Sequence, residues 1–219
     1  MPGTQRSEFI MSSDFVHRFE PAPAAGEPTL LVLHGTGGDE NDLIPLARLI
    51  SPRAALLSPR GQVLENGMPR FFRRIAEGVF DLEDLALRTS ELGTFVERSA
   101  TTYGLDPGRI YAVGYSNGAN VAASLMLSRP ELLAGGVLLR PMVPFEPKTT
   151  PALDGKPVLL SAGRQDPIVP QALTDRLATL LKSGGADVTL AWQDTGHQLL
   201  RGELDAAAQW FAAHTSGKP

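Results

Sequence analysis

The sequence predicts an α/β fold, a mostly parallel central sheet with helices on both faces, and three observations predict it. Short apolar runs recur along the 219 residues. Most are continuous rather than alternating, as strands buried on both faces must be. Between them lie stretches with a helical period, the alternation expected when helices cover a parallel sheet. Glycines and polar residues gather just after the runs, at the strand ends where open α/β sheets bind ligands.

In chain order, "FVHRFEPA" (Phe15 to Ala22) reads as an antiparallel edge strand, and "PAPAAGEP" (Pro21 to Pro28) as a loop. Strands follow at Thr29 to Gly35, Ala54 to Arg60, Arg109 to Tyr115, Gly135 to Pro141, Pro157 to Gly163 and Asp187 to Gln193. From Asp81, a suitable N-cap, the apolar positions Leu82, Leu85, Leu92, Phe95, Val96 and Tyr103 stripe a helix that Gly104 closes. Leu173, Leu177, Leu180 and Leu181 stripe another, stopped at Gly184-Gly185, and Leu204, Ala207, Ala208 and Phe211 stripe the last. The expectation is one domain over 1–219, with 1–14 and 215–219 poorly ordered and "HTSGKP" a frayed tail.

Composition removes several classes of function. A formal charge of −4 with acids and bases intermixed gives no basic face for nucleic acid. The absence of cysteine excludes disulfides, thiolate catalysis and cysteine zinc sites. No window approaches the ~18 apolar residues of a membrane span, and "MPGTQRSEFIMSSDF" lacks the apolar core of a signal peptide. A soluble, cytoplasmic protein acting without a cofactor is expected.

Gly114-Tyr115-Ser116-Asn117-Gly118 falls where a predicted strand meets a predicted helix, the setting of a nucleophile elbow. Glycines at both flanks spare the tight turn from collisions. The serine hydroxyl is pushed out above the sheet edge, over a helix N-terminus that favours negative charge. A serine needs a base. In this kind of site the order is Ser, acid, His. Only His197 and His214 follow Ser116, and only His197 follows a strand. His17 lies in the N-terminal segment, and His34 suits a loop-holding role better than catalysis. The acid that orients the imidazole is Asp166, just past the penultimate strand; Asp194, on the histidine's own loop, is the nearest rival. Asn117 supplies one backbone donor for an oxyanion, and "HGTGGDE" supplies the other, from Thr36 or, as a substitute, Gly37.

These stretches, "LLVLHGTGGDENDLIPLA", "GYSNGA", "GRQDPIVP" and "DTGHQL", resemble the phospholipase/carboxylesterase branch of the α/β-hydrolases, from about Thr29 to the end. That family includes acyl-protein thioesterases and small bacterial carboxylesterases. The resemblance implies an α/β-hydrolase fold without a large cap and a serine esterase acting on small to medium acyl esters or thioesters. It implies a Ser116–His197–Asp166 triad, an oxyanion hole from Thr36 and Asn117, and a possible homodimer. "SPRGQVLENGMPRFFRR" and "RPMVP" depart from the lipid-thioesterase pattern toward small bacterial carboxylesterases. Two readings compete with ester hydrolysis: a non-catalytic ligand-binding protein of the same fold, and an acyltransferase or peptidase on the same framework.

Substrate contacts are less defined. Residues Asn66 to Phe80 form a candidate rim, in which Phe71 and Phe72 either line an acyl pocket or pack in the core. Arg60, Arg140 and Arg164 each fall just past a strand, with Arg73 and Arg74 in the rim. Arg60 and Arg140 are candidates to contact an anionic substrate, against the alternative of pairing with acids such as Asp39, Glu40, Asp42 and Asp194.

Overall fold

The computed structural model describes residues 15–215; the expected disorder of 1–14 and 216–219 lies outside the described residues. A seven-stranded sheet forms the centre. Its strands, in chain order, are β1 (His17–Glu20), β2 (Thr29–Leu33), β3 (Ala55–Pro59), β8 (Ile110–Tyr115), β9 (Gly135–Leu139), β10 (Pro157–Gly163) and β11 (Asp187–Gln193). Their spatial order is β1-β3-β2-β8-β9-β10-β11. All pairings are parallel except β1 with β3, so the first strand is the antiparallel edge expected within Phe15 to Ala22.

The continuous apolar runs are explained by the two cores. Along β2, Leu31 and Leu33 face one core while Leu30 and Val32 face the other. Against the first core lie α2 (Leu82–Tyr103), α3 (Asn117–Ser128) and α4 (Gln171–Ser183). Against the second lie α1 (Ile44–Ile50) and α5 (Arg201–Thr215). The Asp81 carboxylate caps α2 by accepting from the Asp84 N–H, and Gly104 closes it in the left-handed region. Leu82, placed on the apolar stripe by its spacing, is exposed because it sits in the first turn, beyond the packed stretch. His214 and Thr215 are not a frayed tail. They end α5, where Thr215 is buried and its hydroxyl donates to the Phe211 carbonyl.

Two small antiparallel hairpins interrupt the α/β alternation after β3. One pairs β4 (Val63–Glu65) with β5 (Met68–Arg70), and the other pairs β6 (Arg74–Ala76) with β7 (Val79–Phe80). They build the rim expected from Asn66 to Phe80. No helix among the described residues is long and apolar enough to cross a membrane.

Candidate active site

Ser116 sits at the seam between β8 and α3, as the N-cap of the helix, with φ 52° and ψ −114°. A positive φ is unfavourable for a residue with a side chain and persists only when its surroundings impose it. Here they do. A Cβ on Gly114 would lie 2.7 Å from the Gly118 carbonyl oxygen, and one on Gly118 would lie 2.0 Å from the Leu33 carbonyl oxygen. Without side chains at these two positions the turn closes tightly against β2. Asn117 is then the first residue of α3, and its N–H belongs to the helix-terminal set that has no partner within the helix.

Loops after two neighbouring strands bring the other groups to Ser116. The loop after β10 carries Asp166, and the loop after β11 carries His197. His197 Nδ1 lies 2.7 Å from Asp166 Oδ2, and its Nε2 lies 2.9 Å from Ser116 Oγ. Asp166 is held from its other side: Oδ1 accepts from the N–H groups of Ile168 at 2.8 Å and Val169 at 3.1 Å. The carboxylate is almost wholly buried, whereas the imidazole keeps partial access to solvent. Tyr115 donates its hydroxyl to the His197 carbonyl at 3.1 Å. Asp194, the rival acid, is exposed and pairs with Arg164.

His34 lies elsewhere. Its Nδ1 is 2.7 Å from the Gly35 carbonyl and its Nε2 accepts from the Gly61 N–H at 2.9 Å. A carbonyl can only accept and an N–H can only donate, so the ring is the neutral Nδ1-protonated tautomer. Burial pushes its pKa below the ordinary histidine value. The ring ties the loop after β2 to the loop after β3.

Thr36 lies on the cavity wall, and its hydroxyl accepts from Arg70 Nη1 at 2.6 Å. Gly37 does not share that position: its N–H is already given to the Pro69 carbonyl at 2.9 Å, fastening this loop to the first hairpin. Asn117 spends its side chain on the same rim, where Oδ1 accepts from the Phe71 N–H at 2.7 Å.

The expected substrate contacts require correction. Arg140 is completely buried, not at the mouth. It forms an ion pair with Glu203, with Nη2 and Oε2 at 2.9 Å, and donates to the carbonyls of Ser161, Gly196 and Gln198. Gly196 and Gln198 flank His197, so Arg140 grips the histidine loop from behind. The backbone at Arg140 lies in the left-handed region, with φ 57°. Arg60 forms a two-pronged pair with Glu40, including Nη2 to Oε1 at 2.7 Å, and holds a loop. Phe71 and Phe72 are core residues: Phe71 packs on His34 at 4.7 Å between ring centres, and Phe72 meets Phe80 edge-on at 4.9 Å. Arg73 pairs with Asp81 and Asp84.

A cavity of about 350 Å³ opens over Ser116 and His197. Its walls include Thr36, Tyr115 and Met142 from the strand ends, Asn120 from α3, Ile168 and Val169 from the Asp166 loop, and Arg70, Arg74, Glu77 and Phe80 from the hairpins. Arg70, Tyr115 and Asn120 were not among the sequence candidates. Tyr115 lies within the serine motif and Asn120 two residues beyond it, so their place in the sequence was the signal that could have found them. Arg70 had no signal beyond its place in an arginine-rich rim.

The sequence pattern of the phospholipase/carboxylesterase family matches residues 20–215. MhqD of Bacillus subtilis, named as a hydrolase, is 49% identical over 182 residues, which span 83% of this chain and 91% of that protein. The Bacillus cereus carboxylesterase is 47% identical, with a TM-score of 0.90 over 93% of this chain and 96% of the other. YahD, whose crystal structure is with malic acid, is 35% identical, with a TM-score of 0.85 over 92% and 98%. The chain is an α/β-hydrolase and belongs to the phospholipase/carboxylesterase family of serine hydrolases.

Proposed function

We propose that the protein hydrolyses carboxylic esters of small to medium acyl groups through Ser116, His197 and Asp166. The observation that carries the reading is the unbroken hydrogen-bonded chain from Asp166 through His197 to a serine held at positive φ on a helix N-terminus. Asp166 fixes the imidazole with Nδ1 protonated, which leaves Nε2 as the acceptor facing Ser116 Oγ. As Oγ bonds to the ester carbonyl carbon, its proton passes to Nε2. The carbonyl oxygen becomes an oxyanion, received by the backbone N–H groups of Thr36 and Asn117 at the positive end of α3. Collapse breaks the ester C–O bond, and the imidazolium returns its proton to the departing alkoxide. Water repeats the cycle on the acyl-serine, with His197 again accepting the proton, and frees the acid.

The cavity volume lies at the small end of the roughly 300–1,000 Å³ range of ligand pockets. Together with the polar residues among its walls, this supports compact rather than long-chain acyl groups; malic acid in the YahD structure is of that size. The reading places the activity in the cytoplasm, on free small molecules. A panel of p-nitrophenyl esters of increasing chain length tests it, with thioesters added. Turnover should peak at short to medium chains and vanish in Ser116→Ala. Full turnover in that variant, or a rise toward long chains, refutes it.

A further inference from the structure

One wall of the cavity carries charge that the hydrolytic chemistry does not use. Arg70 ends β5 and reaches into the space above Ser116, with its side chain only 4% exposed. Its neutral partners are few. Nε donates to the Phe72 carbonyl at 3.1 Å and Nη1 to the Thr36 hydroxyl at 2.6 Å. Its one acidic neighbour among the described residues is Glu65, whose Oε2 stands 3.3 Å from Nε. That carboxylate is shared: Glu65 Oε1 takes two hydrogen bonds from Arg74, at 2.9 Å and 2.7 Å. Two guanidinium groups on the cavity wall therefore divide a single carboxylate behind them.

The remaining titratable groups facing this space are Glu77, exposed on the opposite hairpin, and His197. Asp166 is hidden behind His197 and committed to it. A buried cation is ordinarily matched by a fully engaged anion, because desolvating a lone charge is costly. Arg70 has half a partner. Burial and the neighbouring Arg74 push its pKa below the usual arginine range, while Glu65 opposes them. A guanidinium offers five N–H donors in a fork suited to a carboxylate. Nη2 has no hydrogen-bond partner among the described residues.

We propose that Arg70 is the docking cation for a carboxylate carried by the substrate, so that the preferred esters are half-esters of short dicarboxylic acids or esters of hydroxy acids. The proposal rests on the serine-esterase reading and names its substrate class. Arg70 also holds the Thr36 hydroxyl, on the loop that offers the oxyanion donor. Binding of the remote carboxylate thus fixes the residue that positions this loop.

The test is a ratio. kcat/KM is measured for the p-nitrophenyl half-ester of glutaric acid and for its neutral counterpart, in which the distal carboxylate is a methyl ester. Damage to the shared machinery cancels in the ratio. In the wild type the ratio of charged to neutral should exceed one and fall with added salt. Arg70→Gln should lower it about 10- to 100-fold, the size of one lost charge-assisted hydrogen bond. Glu65→Gln, which leaves Arg70 in place and removes its counter-charge, should raise it. A hydroxy-acid arm, in which lactate is the leaving alcohol of an acetyl or butyryl ester, distinguishes an acyl-side from an alcohol-side carboxylate. A wild-type ratio at or below one in both arms, or a ratio unmoved by Arg70→Gln, overturns the proposal.

Failure of the esterase reading is separable. Calorimetric titration of glutarate into the Ser116→Ala protein reads the site without turnover. Binding that Arg70→Gln abolishes supports the docking role even if no ester is cleaved. Absence of glutarate binding to the Ser116→Ala protein, alongside efficient cleavage of neutral esters, overturns it and leaves the esterase reading intact.

Discussion

Arg140 gives the most demanding prediction, because its burial is complete and its bonds converge on the histidine loop. Arg140→Met removes the guanidinium but keeps a side chain of comparable length. Glu203 then remains buried with its charge unanswered, although it still accepts from the Ser161 hydroxyl at 2.6 Å and the Leu200 N–H at 3.2 Å. Breaking a buried pair from one side costs about 3–5 kcal/mol. The carbonyls of Ser161, Gly196 and Gln198 lose a donor as well, each worth about 1 kcal/mol or more where water cannot replace it. A loss of at least about 3–5 kcal/mol is a large part of the roughly 5–15 kcal/mol that stabilises a typical protein. It corresponds to a fall in Tm of roughly 6–20 °C at this chain length. Urea denaturation with linear extrapolation gives the free energy. Arg140→Met combined with Glu203→Leu removes the stranded charge, so the double variant should lose less than the sum of the two single losses. The rate of fluorophosphonate labelling at Ser116 reports on the site. It should fall in Arg140→Met below the denaturation midpoint, since the carbonyls on both sides of His197 have been released. A cost under about 1 kcal/mol with unchanged labelling would refute the reasoning.

Fluorophosphonate should modify one serine, with labelling absent in Ser116→Ala and nearly absent in His197→Ala, since the members of such a unit fail together; retained labelling in either variant sinks the assignment. Burial lowers the pKa of His34, so below the unfolded value of about 6.5 the unfolded chain binds a proton that the folded chain refuses. Stability should therefore be complete above about pH 6.5 and decline as the pH falls from there toward the lowered folded value. His34→Gln should flatten that decline, and denaturation curves of both proteins across this window with equal slopes would count against it. Gly118→Ala brings a Cβ to 2.0 Å from the Leu33 carbonyl, backbone against backbone. It should cost about 3 kcal/mol or more, at or beyond the usual range of overpacking, and a variant of wild-type Tm would show that the elbow is looser than described.

The alternation of apolar runs and helical stripes determined the parallel sheet, because a strand buried on both faces leaves no other pattern. The same sequence determined Ser116, since only a glycine-flanked serine at a strand-to-helix seam suits so tight a turn. Chain order and strand ends pointed to Asp166 and His197, and the structure sets them at hydrogen-bonding distance. The arginines were different. Arg60, Arg140 and Arg164 all follow strands, and nothing local distinguishes one that faces the cavity from one that turns inward. Arg140 turns inward, where Glu203, distant in sequence, meets it from α5. Phe71 and Phe72 joined the core, while Arg70 beside them reached the cavity. Which side chain a short hairpin presents depends on how its strands pair and what packs beneath them, and both are set by residues far away in the chain. The three residues proposed for catalysis were therefore readable from local chemistry, whereas the lining of the cavity was decided by the tertiary structure.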